Sequence, residues 1–170
     1  MLEVMKYHAR CNRAVNAAMI GVLEGSDKAP YGIPIEGYYK SINAILDHSF
    51  IADTVWLKAF RQVRDSGIFA NPLLAEDRKW GDRQFDELSA YKGARDELDG
   101  LIIAYVDDLR DGDLTATISR KSRNGQSMEK LLWKSVIHMF NHDTHHRGQV
   151  SVILDQMGID NDYSNMIRYD

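Results

Sequence analysis

The sequence predicts an all-α protein, an antiparallel four-helix bundle with a small β-hairpin or extended loop before the last helix. Three observations predict it. Four long segments carry helical periodicity, each is followed by residues that break a helix, and one short stretch between them alternates polar with apolar residues. With 170 residues and 44% hydrophobic content the chain can bury one core and is too short for two, so residues 1–170 are expected to form a single domain.

The first helix is expected over about residues 2 to 24, stopped by Gly25 and a loop holding Pro30, Gly32, Pro34 and Gly37. The second runs from Tyr38 to Asp65, with Ile42, Ile45, Ala52, Val55 and Ala59 on one stripe, and Gly67, Asn71 and Pro72 close it. The third starts at Asp82, a candidate N-cap ahead of Phe85 and Leu88, and continues through Leu98, Leu101, Ile102 and Val106 to Leu109. Asp111 and Gly112 end it. Leu114 to Arg120 alternate, and Asn124–Gly125 is the strongest short hairpin signal in the chain. The fourth helix is expected from Ser127 to Met157, with Glu129 in its first turn and Gly158 as its stop.

Charge and cysteine content narrow the function classes. The formal charge is −4, and the two signs are interleaved rather than gathered into a basic block, which argues against nucleic acid as a partner. No apolar run approaches the roughly 18 residues of a membrane span, and Met1 to Lys6 lacks the layout of a signal peptide, so a cytoplasmic location is expected. A single cysteine, Cys11, rules out an internal disulfide and any cysteine-based zinc site. It falls within the first helical pattern and reads as a small core residue.

Four of the six histidines, His138, His142, His145 and His146, crowd into the run HMFNHDTHHRGQ of the last helix. At about 100° per residue, with His146 as origin, the apolar stripe of that helix centres near +40°, His142 lies near −40°, His138 near −80° and His145 near −100°. His146 is thus inside the buried stripe and His142 at its edge, four residues apart on one face, where two imidazoles can share one ion. His138 and His145 turn progressively toward the flank, as outer-shell or solvent-facing residues. Two imidazoles do not complete a stable site. His48, within the apolar stripe of the second helix, is the candidate third ligand, although a lone histidine on such a face is more often a hydrogen-bonded core residue. His8 has no partner in the pattern and reads as that kind of residue.

The run NHDTHHRGQ, in which HxxxH is followed directly by Arg147, Gly148 and Gln149, resembles the signature of the DinB/YfiT-like superfamily of bacterial proteins. The likeness extends over nearly the whole chain: Asn12 and Arg13 in the first helix, the segment ILDHSFIADTVWL in the second, a glycine-containing hairpin, and the closing motif. The resemblance implies a four-helix bundle that binds one divalent metal through a histidine of the second helix and the two of HxxxH, here His48, His142 and His146. It also implies a homodimer. Arg147, beside the site, is a candidate to bind an anionic substrate group, to pair with Asp143, or simply to form a surface salt bridge. Gln149 and Asn141 are candidates to orient the ligands, and Asp143, near +60° from His146, is a candidate to hydrogen-bond a ligand of a neighbouring helix.

Three neutral imidazoles leave a divalent ion its positive charge and an open position, as catalytic sites do. Such an ion supports hydrolysis through water of lowered pKa, or thiol transfer through a bound thiolate. The resemblance includes relatives that use low-molecular-weight thiols such as bacillithiol or mycothiol. A metal-dependent thiol S-transferase or hydrolase is therefore the leading expectation, with zinc, nickel or iron as the ion. The alternative is a non-catalytic metal-binding protein, of a stress-response or interaction type. Protease chemistry of the zincin kind is not supported, because Asp143, Thr144 and His145 stand between the two histidines where zincins place a glutamate.

Overall fold

The structure, a computed structural model, describes residues 1–121 and 125–169. The described residues are mostly helical and contain α1 (Leu2–Gly25), α2 (Ile42–Phe60), the one-turn α3 (Pro72–Ala75), α4 (Leu88–Asp108) and α5 (Leu132–Gln156). Strands β1 (Thr117–Lys121) and β2 (Ser127–Leu131) form an antiparallel hairpin immediately before α5. α1 packs chiefly on α4 and α2 chiefly on α5, while α1 also meets α5 and α2 meets α4. Their buried apolar side chains, Leu46, Phe50, Leu98, Tyr105, Val136 and Leu154 among them, form one connected cluster. Cys11 is fully buried, as a small core residue should be. No helix among the described residues is long and apolar enough to cross a membrane.

The long helices lie where periodicity puts them, and their ends differ for local reasons. α2 begins only at Ile42, because Ser41 is extended and its hydroxyl accepts from the Ala44 amide, a side-chain N-cap. It ends at Phe60 rather than Asp65, since Gln62 and Val63 bond three residues back, to Ala59 and Phe60, and the chain leaves in a tight turn. Arg64 then pairs with Asp113 at 2.8 Å. Asn71 and Pro72, expected only to close that helix, instead start α3: the Asn71 side chain accepts from the Leu73 amide and Pro72 occupies the first helical position.

α4 starts at Leu88, six residues after the expected Asp82. Gly81 turns the chain with φ +89°, and the Gln84 amide then donates to Asp47 of α2 at 3.0 Å, which holds the segment against α2. Phe85 still enters the core, with its ring 5.0 Å from Phe50, but from outside the helix. On the expected stripe of α2, Ile42, Ile45 and Ala52 are buried, whereas Val55 and Ala59 are only partly so.

The segment Ser127–Leu131, expected as the first turn of the last helix, is strand β2. Its composition suits a helix, but Ile118 lies opposite Lys130 and Ser119 opposite Glu129, so pairing overrides propensity. Gly125 has φ +81°, consistent with the hairpin turn read from Asn124–Gly125, and Asn124 itself lies outside the described residues. On the outer edge of β1, the Gln62 amide brackets Ser119: Nε2 donates to the Ser119 carbonyl and Oε1 accepts from the Ser119 amide, both at 3.0 Å.

Candidate metal centre

Because α2 lies along α5, His48 comes to face the HxxxH pair. Nε2 of His142 lies 3.2 Å from Nε2 of His48 and 3.1 Å from Nε2 of His146, and the three residues offer ligand atoms within 4.8 Å of one another. Ligands sharing a tetrahedral ion at a metal–nitrogen distance of about 2.0–2.1 Å are themselves about 3.3 Å apart. The two separations fit one ion. Nε2 of His142 faces both neighbours with either one proton or one lone pair, so without a cation only one of the two contacts can be a hydrogen bond.

The proton position on His146 is set from behind. Nδ1 lies 2.8 Å from Oε1 of Gln149, and since Oε1 only accepts, Nδ1 carries the proton and Nε2 presents its lone pair inward. Nδ1 of His142 is buried without a hydrogen-bond partner. Burial, with His146 and His48 adding, pushes His142 down to about 4, and burial also lowers His146, against the opposing effect of the Gln149 hydrogen bond. Both rings are therefore neutral near pH 7, the state in which imidazole binds a metal.

Aromatic side chains surround the cluster. The Tyr39 ring lies 5.3 Å from that of His48 and 5.5 Å from that of His146, and Trp80 lies 5.2 Å from His48. Neither residue was a candidate from sequence: Tyr39 was read as part of the second helix but precedes α2, which starts at Ile42, and Trp80 lies in a loop where no periodicity operates. His138 and His145 are exposed, as expected: His138 stands against Trp56 at 5.2 Å and the His145 ring is 5.0 Å from that of His146. His8 is half-buried against Phe140.

Of the remaining candidates, only Gln149 touches a ligand ring through a hydrogen bond. Asn141 is exposed and makes none to the three imidazoles. Asp143 is buried and turned away from them, accepting from Ser49 at 2.5 Å and from Asn12 at 2.9 Å. Arg147 neither reaches the cluster nor forms a surface salt bridge: it donates to Asn12 at 2.6 Å and to Asn16 at 2.9 Å. Ser49 follows His48 and Asp143 follows His142, so their hydrogen bond ties α2 to α5 beside the two ligands.

That bond belongs to a larger buried network. Arg95, 1% exposed, pairs with Asp53 and with Asp99, both at 2.6 Å, and Asn16 donates to Asp99 at 3.0 Å. Three carboxylates, Asp53, Asp99 and Asp143, thus meet two guanidiniums, Arg95 and Arg147. Burial and then the neighbouring Asp143 hold the Asp53 carboxyl well above the usual carboxylate range. Burial opposes ionisation of Asp143 too, but Arg95, Arg147 and the bonds from Ser49 and Asn12 keep it below that range. Burial raises the Asp99 carboxyl as well, against Arg95 and the Asn16 hydrogen bond. Its sequence signal was available: Asp53 lies four residues after Ser49, and Asp99 four after Arg95, in helices whose other faces are apolar.

The fold and site together define a mostly helical protein whose paired α2 and α5 bring together three histidines able to hold a metal ion. A model of the DinB family matches residues 1–169, and the chain belongs to the DinB family. Comparison with curated proteins and with solved structures gave no match.

Proposed function

We propose that this chain is a metal-dependent enzyme of the thiol S-transferase or hydrolase type, holding one divalent ion, zinc, nickel or iron, on His48, His142 and His146. The observation that carries it is the convergence of three Nε2 atoms, with the rings of His142 and His146 kept neutral and Gln149 fixing the tautomer of His146. An ion held there would supply Lewis acidity, lowering the pKa of a thiol or water that reaches its open side. Gln149 keeps a lone pair on His146 directed inward, the Ser49–Asp143 bond fixes the span between α2 and α5, and Tyr39 and Trp80 hold the His48 ring between them. Asp143 is committed to Asn12 and Ser49 and is not available as a base.

In this reading α1, α2, α4 and α5 make an antiparallel four-helix bundle, a single domain over residues 1–170 that works as a cytoplasmic homodimer on a low-molecular-weight thiol or another small molecule. The ring of contacts among the four helices supports the bundle. Elemental analysis of protein purified without a nickel column, followed by assay of the loaded protein with a thiol and a panel of electrophiles and esters, tests the proposal. About one ion per chain, lost in His48→Ala, together with turnover on one class, is the expected result. Unchanged metal content in His48→Ala would remove that residue from the ligand set. A loaded protein that turns over nothing would leave the non-catalytic metal-binding reading.

A further inference from the structure

Beside His48 a cleft of about 800 Å³ opens between the start of α2, the loop around residues 80–83 and the hairpin. The chain as a whole is acidic, yet this lining reverses the sign: Lys40, Arg83, Arg120 and Lys121 face it, against Asp47 and Asp82. Oδ2 of Asp47 accepts from the Gln84 amide, while its Oδ1 is buried without a partner. Arg120 stands out among the cations. Its guanidinium lies 4.0 Å over the Trp56 ring, it is partly buried, and no described carboxylate is within ion-pair distance of it. A desolvated guanidinium without a counter-ion is an anion receptor.

Two further observations point to a ligand. Nδ2 of Asn43, in a residue only 1% exposed that lines the same cleft, has no hydrogen-bond acceptor, although its Oδ1 is engaged by Ser41. A buried amide donor left unpaired is destabilising unless a ligand oxygen meets it. Tyr38 and Trp80, which also line the cleft, each touch one neighbouring ring, Tyr39 and His48, yet are 81% and 49% exposed and so present flat apolar surface.

We infer that this cleft binds a small organic carboxylate with a flat or apolar body, the negative group taken by the lining cations with Arg120 foremost, and the body lying against Tyr38 and Trp80. That the bound carboxylate is a substrate rests on the reading of the histidine cluster as a reaction centre. Binding itself does not require the ion.

The test uses the full-length chain stripped of metal by a chelator, titrated calorimetrically with 2-naphthoate, the neutral 2-naphthamide and the cationic 2-naphthylmethylammonium. The naphthoate should bind about tenfold tighter than the amide, the scale of one charge-assisted contact, with the ammonium weakest. Arg120→Gln should abolish the preference while leaving the amide unaffected, and Trp80→Ala should weaken all three probes alike. Raising the salt concentration on unaltered protein should remove the preference without any variant, which keeps the test valid if Arg120→Gln fails to fold. Equal affinity for naphthoate and naphthamide, a preference indifferent to both Arg120→Gln and salt, or naphthoate binding only after metal is restored would each overturn the inference. A chain that holds no metal and turns over nothing, yet prefers the naphthoate, would refute the enzymatic reading and leave this one standing.

Discussion

At the scale of single residues, the site depends on rings held neutral and aimed. His142 is held down at about 4 against an ordinary 6.5 by burial, then by its two imidazole neighbours. The unfolded chain takes up this proton near 6.5 and the folded one near 4, so unfolding binds a proton between those values and stability rises with pH there. Metal-free protein should therefore lose stability as pH falls from 6.5 toward 4, and ring-carbon NMR should place the His142 titration near the lower value. An ordinary titration midpoint would show that the ring is not desolvated. Gln149→Ala removes the acceptor behind His146 and should weaken metal binding about 10- to 100-fold in a chelator competition, with the helical circular dichroism unchanged. The HxxxH pair was legible in sequence because helical spacing is a local property. The roles of Arg147 and Asn141 were not, since nearness in sequence to His146 and His142 does not say that one side chain turns into the core and the other out to water.

At the scale of elements, the clamp between α2 and α5 extends into a polar core that also engages α1 and α4. Arg95→Met leaves Asp99 and Asp143 without their buried counter-charge and should cost about 3–5 kcal/mol in urea unfolding. Asp53→Asn keeps the shape of a carboxyl whose ionisation burial and Asp143 oppose, and should cost about 1 kcal/mol or less, the scale of one re-formed hydrogen bond. A large loss in Asp53→Asn would mean that Asp53 is ionised. Helix existence was readable from apolar periodicity, but helix starts were set by long-range partners: the Asp47 carboxylate holding the Gln84 amide, and β1 recruiting the helix-forming residues Ser127–Leu131. Neither partner is visible in a local window. Asn71–Pro72 shows the converse, a cap and first-turn signal that was present in the sequence and served a helix too short for periodicity to reveal.

At the scale of the whole molecule, the packing of α2 on α5 and the buried network assemble the three histidines from protein contacts alone. On the proposed reading, a metal ion would bind a formed site rather than create the fold. With free zinc at a hundredfold excess over its dissociation constant, stability should rise by about 2.7 kcal/mol, which for a chain of this length is a melting-temperature increase of about 5–10 °C. The combined variant His48→Ala, His142→Ala and His146→Ala should show no such increase. A metal-free chain that is unfolded before zinc is added would contradict the preformed arrangement. Loops contribute to the site as much as helices do, through Tyr39, Trp80 and the hairpin. They are where sequence patterning carries least, because their positions are fixed by what they pack against.

A two-stranded ribbon leaves its outer backbone groups open to pairing with another chain. The Gln62 bracket on Ser119 closes one of those edges, since a carboxamide offers a donor and an acceptor spaced as a neighbouring strand would offer them. Gln62 is thereby a guard against aggregation. Gln62→Ala should leave metal content intact while raising concentration-dependent light scattering, through β1 strands of separate molecules adding edge to edge.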